Sequence, residues 1–155
     1  MATHEHHHLE ASWAMALSAT LHCLTGCAIG EVLGMIIGSA LGWTTGATVA
    51  LSIALAFLFG YSLTSLPLLR SGMALAAVIP IALATDTVSI AIMEAVDNTI
   101  MVAIPGAMEA GLDDIGFYAA LTAALIIAGT AALPVNRWLI ARGKGHAVLH
   151  QHHAH

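Results

Sequence analysis

Charge is what this sequence has least of. Only 8% of its 155 residues are Asp, Glu, Lys or Arg, against about 25% in a soluble domain. Only four are Lys or Arg, so no basic patch exists and a nucleic-acid partner is excluded. Two cysteines are too few for a disulfide scaffold. No nucleotide-binding motif is present, so transport by this chain would be passive, ion-coupled or carried out with a partner. Met1 to Glu10 is polar and histidine-rich, not the basic start of a secretory signal.

What remains is apolar. Hydrophobic residues make up 59% of the chain and the mean hydropathy is +0.87. A membrane span takes about 20 residues, and four segments of that length are present. They run over about Ala14–Leu41, Val49–Leu69, Ala74–Ile104 and Ile115–Ile140. The expected class is all-α: a polytopic membrane protein of four helices over 12–140. Tails at 1–11 and 141–155 flank it, both rich in histidine. Gly42 to Thr48 reads as the first turn, and Pro67, Arg70, Ser71 and Gly72 as the second. Pro105 to Asp114 reads as an acidic loop. The second span carries no charge and reads as the lipid-facing or gap-filling member.

Arg70, Arg137, Arg142 and Lys144 all fall on one side of this arrangement. The positive-inside rule assigns that side, with both termini, to the cytoplasm of a bacterial inner membrane. Trp13 and Trp138 would mark the inner interface. Trp43 and the Phe117–Tyr118 pair would mark the outer one.

The first span holds two every-fourth-residue rows. Gly26, Gly30, Gly34, Gly38 and Gly42 form a glycine zipper on one edge. In water each glycine would cost about 1 kcal/mol relative to alanine; in lipid such small residues let helices approach closely. That seam would lie within the monomer or between subunits of a homo-oligomer. Cys23, Cys27, Glu31 and Met35 form the neighbouring row, with His22 on its flank. On the third span Asp86, Ile90, Met93, Asp97 and Met101 share a face, with Glu94 slightly off it.

Four acids inside apolar segments need an explanation. Each charged side chain at the bilayer centre costs roughly 2.5–3.5 kcal/mol on insertion scales, and no basic residue lies at their depth. They must be protonated, hydrogen-bonded, hydrated or bound to a cation. Thiolate and thioether donors suit Cu(I), and thiolate with imidazole suits Zn(II). His22, Cys23, Cys27, Glu31, Met35, Asp86, Met93, Glu94 and Asp97 are therefore the candidate metal donors. The span boundaries place Cys23 level with Asp86, and Glu31 level with Glu94.

The stretch L-H-C-L-T-G-C-A-I-G-E-V-L-G-M, Leu21 to Met35, resembles an uncharacterised family of small bacterial four-span membrane proteins. D-T-V-S-I-A-I-M-E-A-V-D-N (Asp86–Asn98) and P-V-N-R-W-L-I-A-R-G-K-G-H (Pro134–His146) are similar to its other signatures. The resemblance implies a fold and a membrane location, and no activity.

The leading functional expectation is a copper or zinc channel, transporter or binding protein, working with a metal-handling partner. A metal-dependent membrane enzyme is the alternative, weakened because the Glu-x-x-His motif of carboxylate bundles is missing. A non-catalytic assembly or scaffold protein is the third reading.

Overall fold

The computed structural model describes residues 3–141 except Met108, with side chains from residue 13 onward. Four α-helices make it up: α1 (Thr3–Ala40), α2 (Thr45–Arg70), α3 (Leu75–Ala103) and α4 (Ile115–Ala141). Each is long and apolar enough to cross a membrane, α1 over Trp13–Ala40. Their bounds match the four expected spans to within a few residues. At its start α1 reaches back to Thr3, into the stretch expected to be a tail. The expected 141–155 tail lies outside the described residues, Ala141 apart.

The helices run alternately up and down. The α2–α3 turn lies at one end of the bundle, the terminal end. The α1–α2 turn and the α3–α4 loop lie at the other, the far end. Each of α1 and α3 packs on both α2 and α4, and α1 meets α3 across the diagonal. That diagonal is where the acids go.

Two helices stop at a glycine for the same reason. Gly42 (φ +64°) and Gly72 (φ +91°) take the left-handed conformation that costs glycine nothing. Trp43 N then donates to Gly38 O at 2.9 Å, and Gly42 N to Ser39 O at 3.2 Å. Met73 N to Leu68 O and Gly72 N to Leu69 O repeat the pattern, a Schellman motif at each end. Gly42 is thus a helix stop, and a side chain there would meet nothing within 4 Å. It does not belong to the packing row in which the every-fourth spacing placed it. Pro67 is likewise misplaced by the sequence reading. It lies inside α2, and the turn begins only at Ser71.

The remaining four glycines pack, and their partner is α2 of the same chain. A β-carbon on Gly26 would lie 2.8 Å from Gly60 Cα, and one on Gly30 2.5 Å from Ala56 Cα. On Gly34 it would meet Ser52 Cα at 2.6 Å, and on Gly38 Thr48 Cγ2 at 2.6 Å. Each step of four forward on α1 is a step of four back on α2, as antiparallel helices without slip require. The buried residues of α2 are that row and no others: Thr48, Ser52, Ala56, Gly60, Thr64 and Leu68. The second span is therefore the principal packing partner of the first through this one row, and the rest of it faces outward as expected: it is the least buried of the four spans. Its small residues, spaced four apart, match the glycines one for one.

Another correction concerns Phe117. It is 1% exposed and packs in the core with Met35, Met101 and Leu121. Only Tyr118 of that pair faces outward, as do Trp13, Trp43 and Trp138.

Replacing Gly30 with alanine should lower the thermal stability of the detergent-solubilised protein by an amount in the range of about 1–3 kcal/mol, typical of overpacking. Gly46→Ala, in open space at the start of α2, should be neutral or gain up to about 1 kcal/mol. Equal effects at the two positions would show that the α1–α2 contact is not limiting.

Candidate functional site

The acids and thiols of α1 and α3 are buried together. Cys23, Cys27, Asp86, Glu94 and Asp97 are each 4% exposed or less, and Glu31 is 6% exposed. With its glycine edge fixed against α2, α1 turns the adjacent row inward, toward α3. Cys23 lies beside Ser89 and Asp86. Cys27 lies beside Glu94. Glu31 faces Asp97, with Glu94 near it.

These pairs form a seam rather than a cluster. From Asp86 to Asp97 it extends about 16 Å at 1.5 Å per residue, roughly half the hydrocarbon thickness. Of the two expected levels, Cys23 does lie beside Asp86, while Glu31 meets a partner about one helical turn beyond the expected one. Glu31 pairs with Asp97 instead of Glu94, a shift of three residues or about 4.5 Å. Equal span boundaries do not fix the register of α3; the close α1–α2 contact and the short turn at 71–74 do.

Hydrogen bonding along the seam is uneven. At its terminal end, His22 Nε2 and Thr64 Oγ1 are 3.0 Å apart. Thr85 Oγ1 donates to Asp86 Oδ1 at 3.0 Å. In the middle, Asn98 Nδ2 donates to Glu94 Oε2 at 3.1 Å. Farther along, Glu31 Oε2 and both carboxyl oxygens of Asp97 receive no hydrogen bond from any other group; the two carboxyls have only each other. Leaving such a group unmet costs about 1–3 kcal/mol or more.

The two ends of the seam are built of different material. Beyond Asp97, Met35, Met101, Ala107, Phe117, Leu121 and Ala124 form an apolar plug. Ala107 comes from the acidic loop after α3, which folds back onto the bundle. Met35 belongs to this plug and not to the thiol group. On the far side of Met35, a pocket of about 80 Å³ is lined by Ser39, Trp43, Thr45 and Thr48 with it. Toward the terminal end, Asn136 Nδ2 donates to Thr20 Oγ1 at 2.8 Å, tying α4 to α1. Arg137 lies 4.0 Å over the Trp13 ring, well along α1 from the acids.

Of the candidate donors, Met93 is fully buried among Cys23, Cys27 and Ile90, as the face it shares with Asp86 and Asp97 implied. His22 is half-buried and turns to α2, where it meets Thr64. Among the described residues, no group of three or more His, Cys, Asp and Glu side chains is arranged to hold a metal ion. The sequence reading missed Thr64, Thr85, Ser89, Asn98 and Asn136. Thr64 was findable, since it falls in the every-fourth small row of α2.

A family model described as a domain of unknown function, DUF4396, matches residues 12–145. The chain belongs to that family. No curated protein and no solved structure matches it. The matched segment holds all four membrane spans and every residue of the seam, so the DUF4396 domain and the bundle are one unit.

Replacing Asp97 with asparagine should leave the melting temperature equal to or above that of the unchanged protein, because the amide removes a like charge from beside Glu31 and can itself donate to that carboxyl. Asn136→Ala should lower stability by about 1 kcal/mol, the usual worth of a buried hydrogen bond. A larger loss at Asp97 than at Asn136 would mark the acid as structural.

Proposed function

We propose that this chain conducts cations through the membrane along the α1–α3 seam, and that the ion its geometry suits best is the proton. The supporting observation is the Glu31–Asp97 pair. Two carboxyls face each other in a buried place, with three of their oxygens receiving no hydrogen bond from any other group. Two like charges that close repel unless something positive is shared between them. A proton meets that need without a coordination shell.

Buried acids in a membrane bundle mark ion paths by default. A path needs sites that bind and release, spaced so that neighbours hand over. Glu31, Asp97, Glu94 and Asp86, with Cys23, Cys27 and Ser89 between them, supply such a series. No three His, Cys, Asp or Glu side chains are gathered among the described residues, so copper or zinc would have to rest on Cys23 and Cys27 with the Met93 thioether packed beside them, or pass from pair to pair. The two thiols and the Met93 thioether favour such a cargo, and the facing carboxyls favour protons. The homo-oligomer expected from the glycine face loses that basis, because α2 occupies the face.

The terminal end, with Arg70 and Arg137, is assigned to the cytoplasm of a bacterial inner membrane. A membrane-impermeant thiol reagent applied to intact cells should then label Glu109→Cys and spare Ser71→Cys, both exposed positions. Labelling of Ser71→Cys alone would invert the topology.

The function is tested in lipid vesicles holding the full chain and an internal pH-sensitive dye. An imposed potassium diffusion potential should drive proton entry. Glu31→Gln and Asp97→Asn should each slow it on the order of 100-fold, the usual contribution of a positioned proton-transfer group. A wild-type rate equal to that of empty vesicles would overturn the proposal.

A further inference from the structure

The seam is sealed by apolar side chains at its far end, and its terminal end is built differently. There a half-buried histidine, a hydroxyl and a fully buried carboxyl follow one another on three helices. His22 comes from α1, Thr64 from α2 and Asp86 from α3. His22 Nε2 is 3.0 Å from Thr64 Oγ1, and Thr64 in turn faces the Asp86 carboxyl. Thr85 donates to the same carboxyl at 3.0 Å, which fixes its orientation. The His22–Thr64 contact continues the α1–α2 row one step beyond Gly26–Gly60, so the packing that joins the helices also sets this spacing.

Thr64 has one hydrogen to give. If it donates to Asp86, then His22 must present Nε2–H to Thr64. The three groups thus form a directed chain from the half-exposed ring to the buried acid. We propose that His22, Thr64 and Asp86 are the port through which protons enter and leave the seam at the terminal end. The port rests on the cation-conducting reading above.

Starting from His22 protonated on both nitrogens and Asp86 ionised, one transfer breaks the His22 Nε2–H bond as Thr64 Oγ takes that proton. Thr64's own O–H bond breaks in the same event, and the new O–H bond forms on Asp86. The histidine ends one proton poorer, the carboxyl one richer and the threonine unchanged. Rotation of the hydroxyl and reloading of the ring from water reset the chain. The titratable groups facing this port are few. His22 and Cys23 come from α1 and Asp86 from α3. From α2 comes the hydroxyl of Thr64, while Tyr61 sits outside on Thr87. Arg137 of α4 is held on Trp13. Histidine suits the outer position because its ordinary titration range lies near neutral pH.

The test uses the same vesicles and dye, with Thr64→Val and Thr64→Ser. Valine keeps the shape and removes the hydroxyl; serine restores it. The port predicts that Thr64→Val slows proton entry on the order of 100-fold, while Thr64→Ser stays within about threefold of wild type and both keep the wild-type melting temperature. A Thr64→Val rate equal to wild type overturns the port and leaves the conducting reading standing. Loss of rate in both variants together with a lowered melting temperature also overturns it, in favour of a packing role for Thr64. Absence of any wild-type proton entry overturns the reading and the port together.

Discussion

The contact on which everything else depends is backbone against backbone, where α1 lies on α2. At Gly30 and Ala56 the two helices are too close for a single added carbon. Van der Waals contact of this kind replaces the hydrophobic effect as the cohesive force between helices in lipid. It also has an orienting consequence. Once one edge of α1 is committed to α2, the row beginning at Cys23 can only face the bundle axis. The buried acids are thus positioned by the absence of side chains on the edge next to them.

The diagonal contact between α1 and α3 follows from that commitment. Its members are polar, and they are unequally served. Asp86 and Glu94 receive hydrogen bonds from Thr85 and Asn98. Glu31 and Asp97 face each other with three oxygens unmet by any other group. A bundle evolved for packing alone would gain by replacing such a pair with apolar side chains. The plug of Met35, Met101 and Phe117 beyond it and the hydroxyl-lined approach behind it give the seam two unlike ends, as a path with a barrier at one side requires.

The four spans were legible because apolar length is a strong signal and a bilayer enforces it. The buried identity of Cys23, Cys27, Glu31, Asp86, Glu94 and Asp97 was legible too, from helical spacing and the cost of charge in lipid. Their pairing was not. It depends on the register between α1 and α3, which is set through α2 and by a short turn, and no property of α1 or α3 alone encodes it. Glu31 consequently meets Asp97 rather than Glu94. Gly42 shows the opposite failure, a spacing continued past its meaning. Its row mates meet α2, while it ends the helix with a positive φ. The candidate metal donors were read from residue types, and of them Cys23, Cys27 and Met93 lie together in the core.

Whether Glu31 and Asp97 act as one unit can be measured directly by infrared spectroscopy of the full chain in lipid during hydrogen–deuterium exchange. The account predicts carboxyl bands that exchange together: the Asp97 band, assigned by its loss in Asp97→Asn, should move in frequency when Glu31 is replaced by glutamine. Two bands that each ignore the other's replacement would contradict a shared proton and with it the central claim.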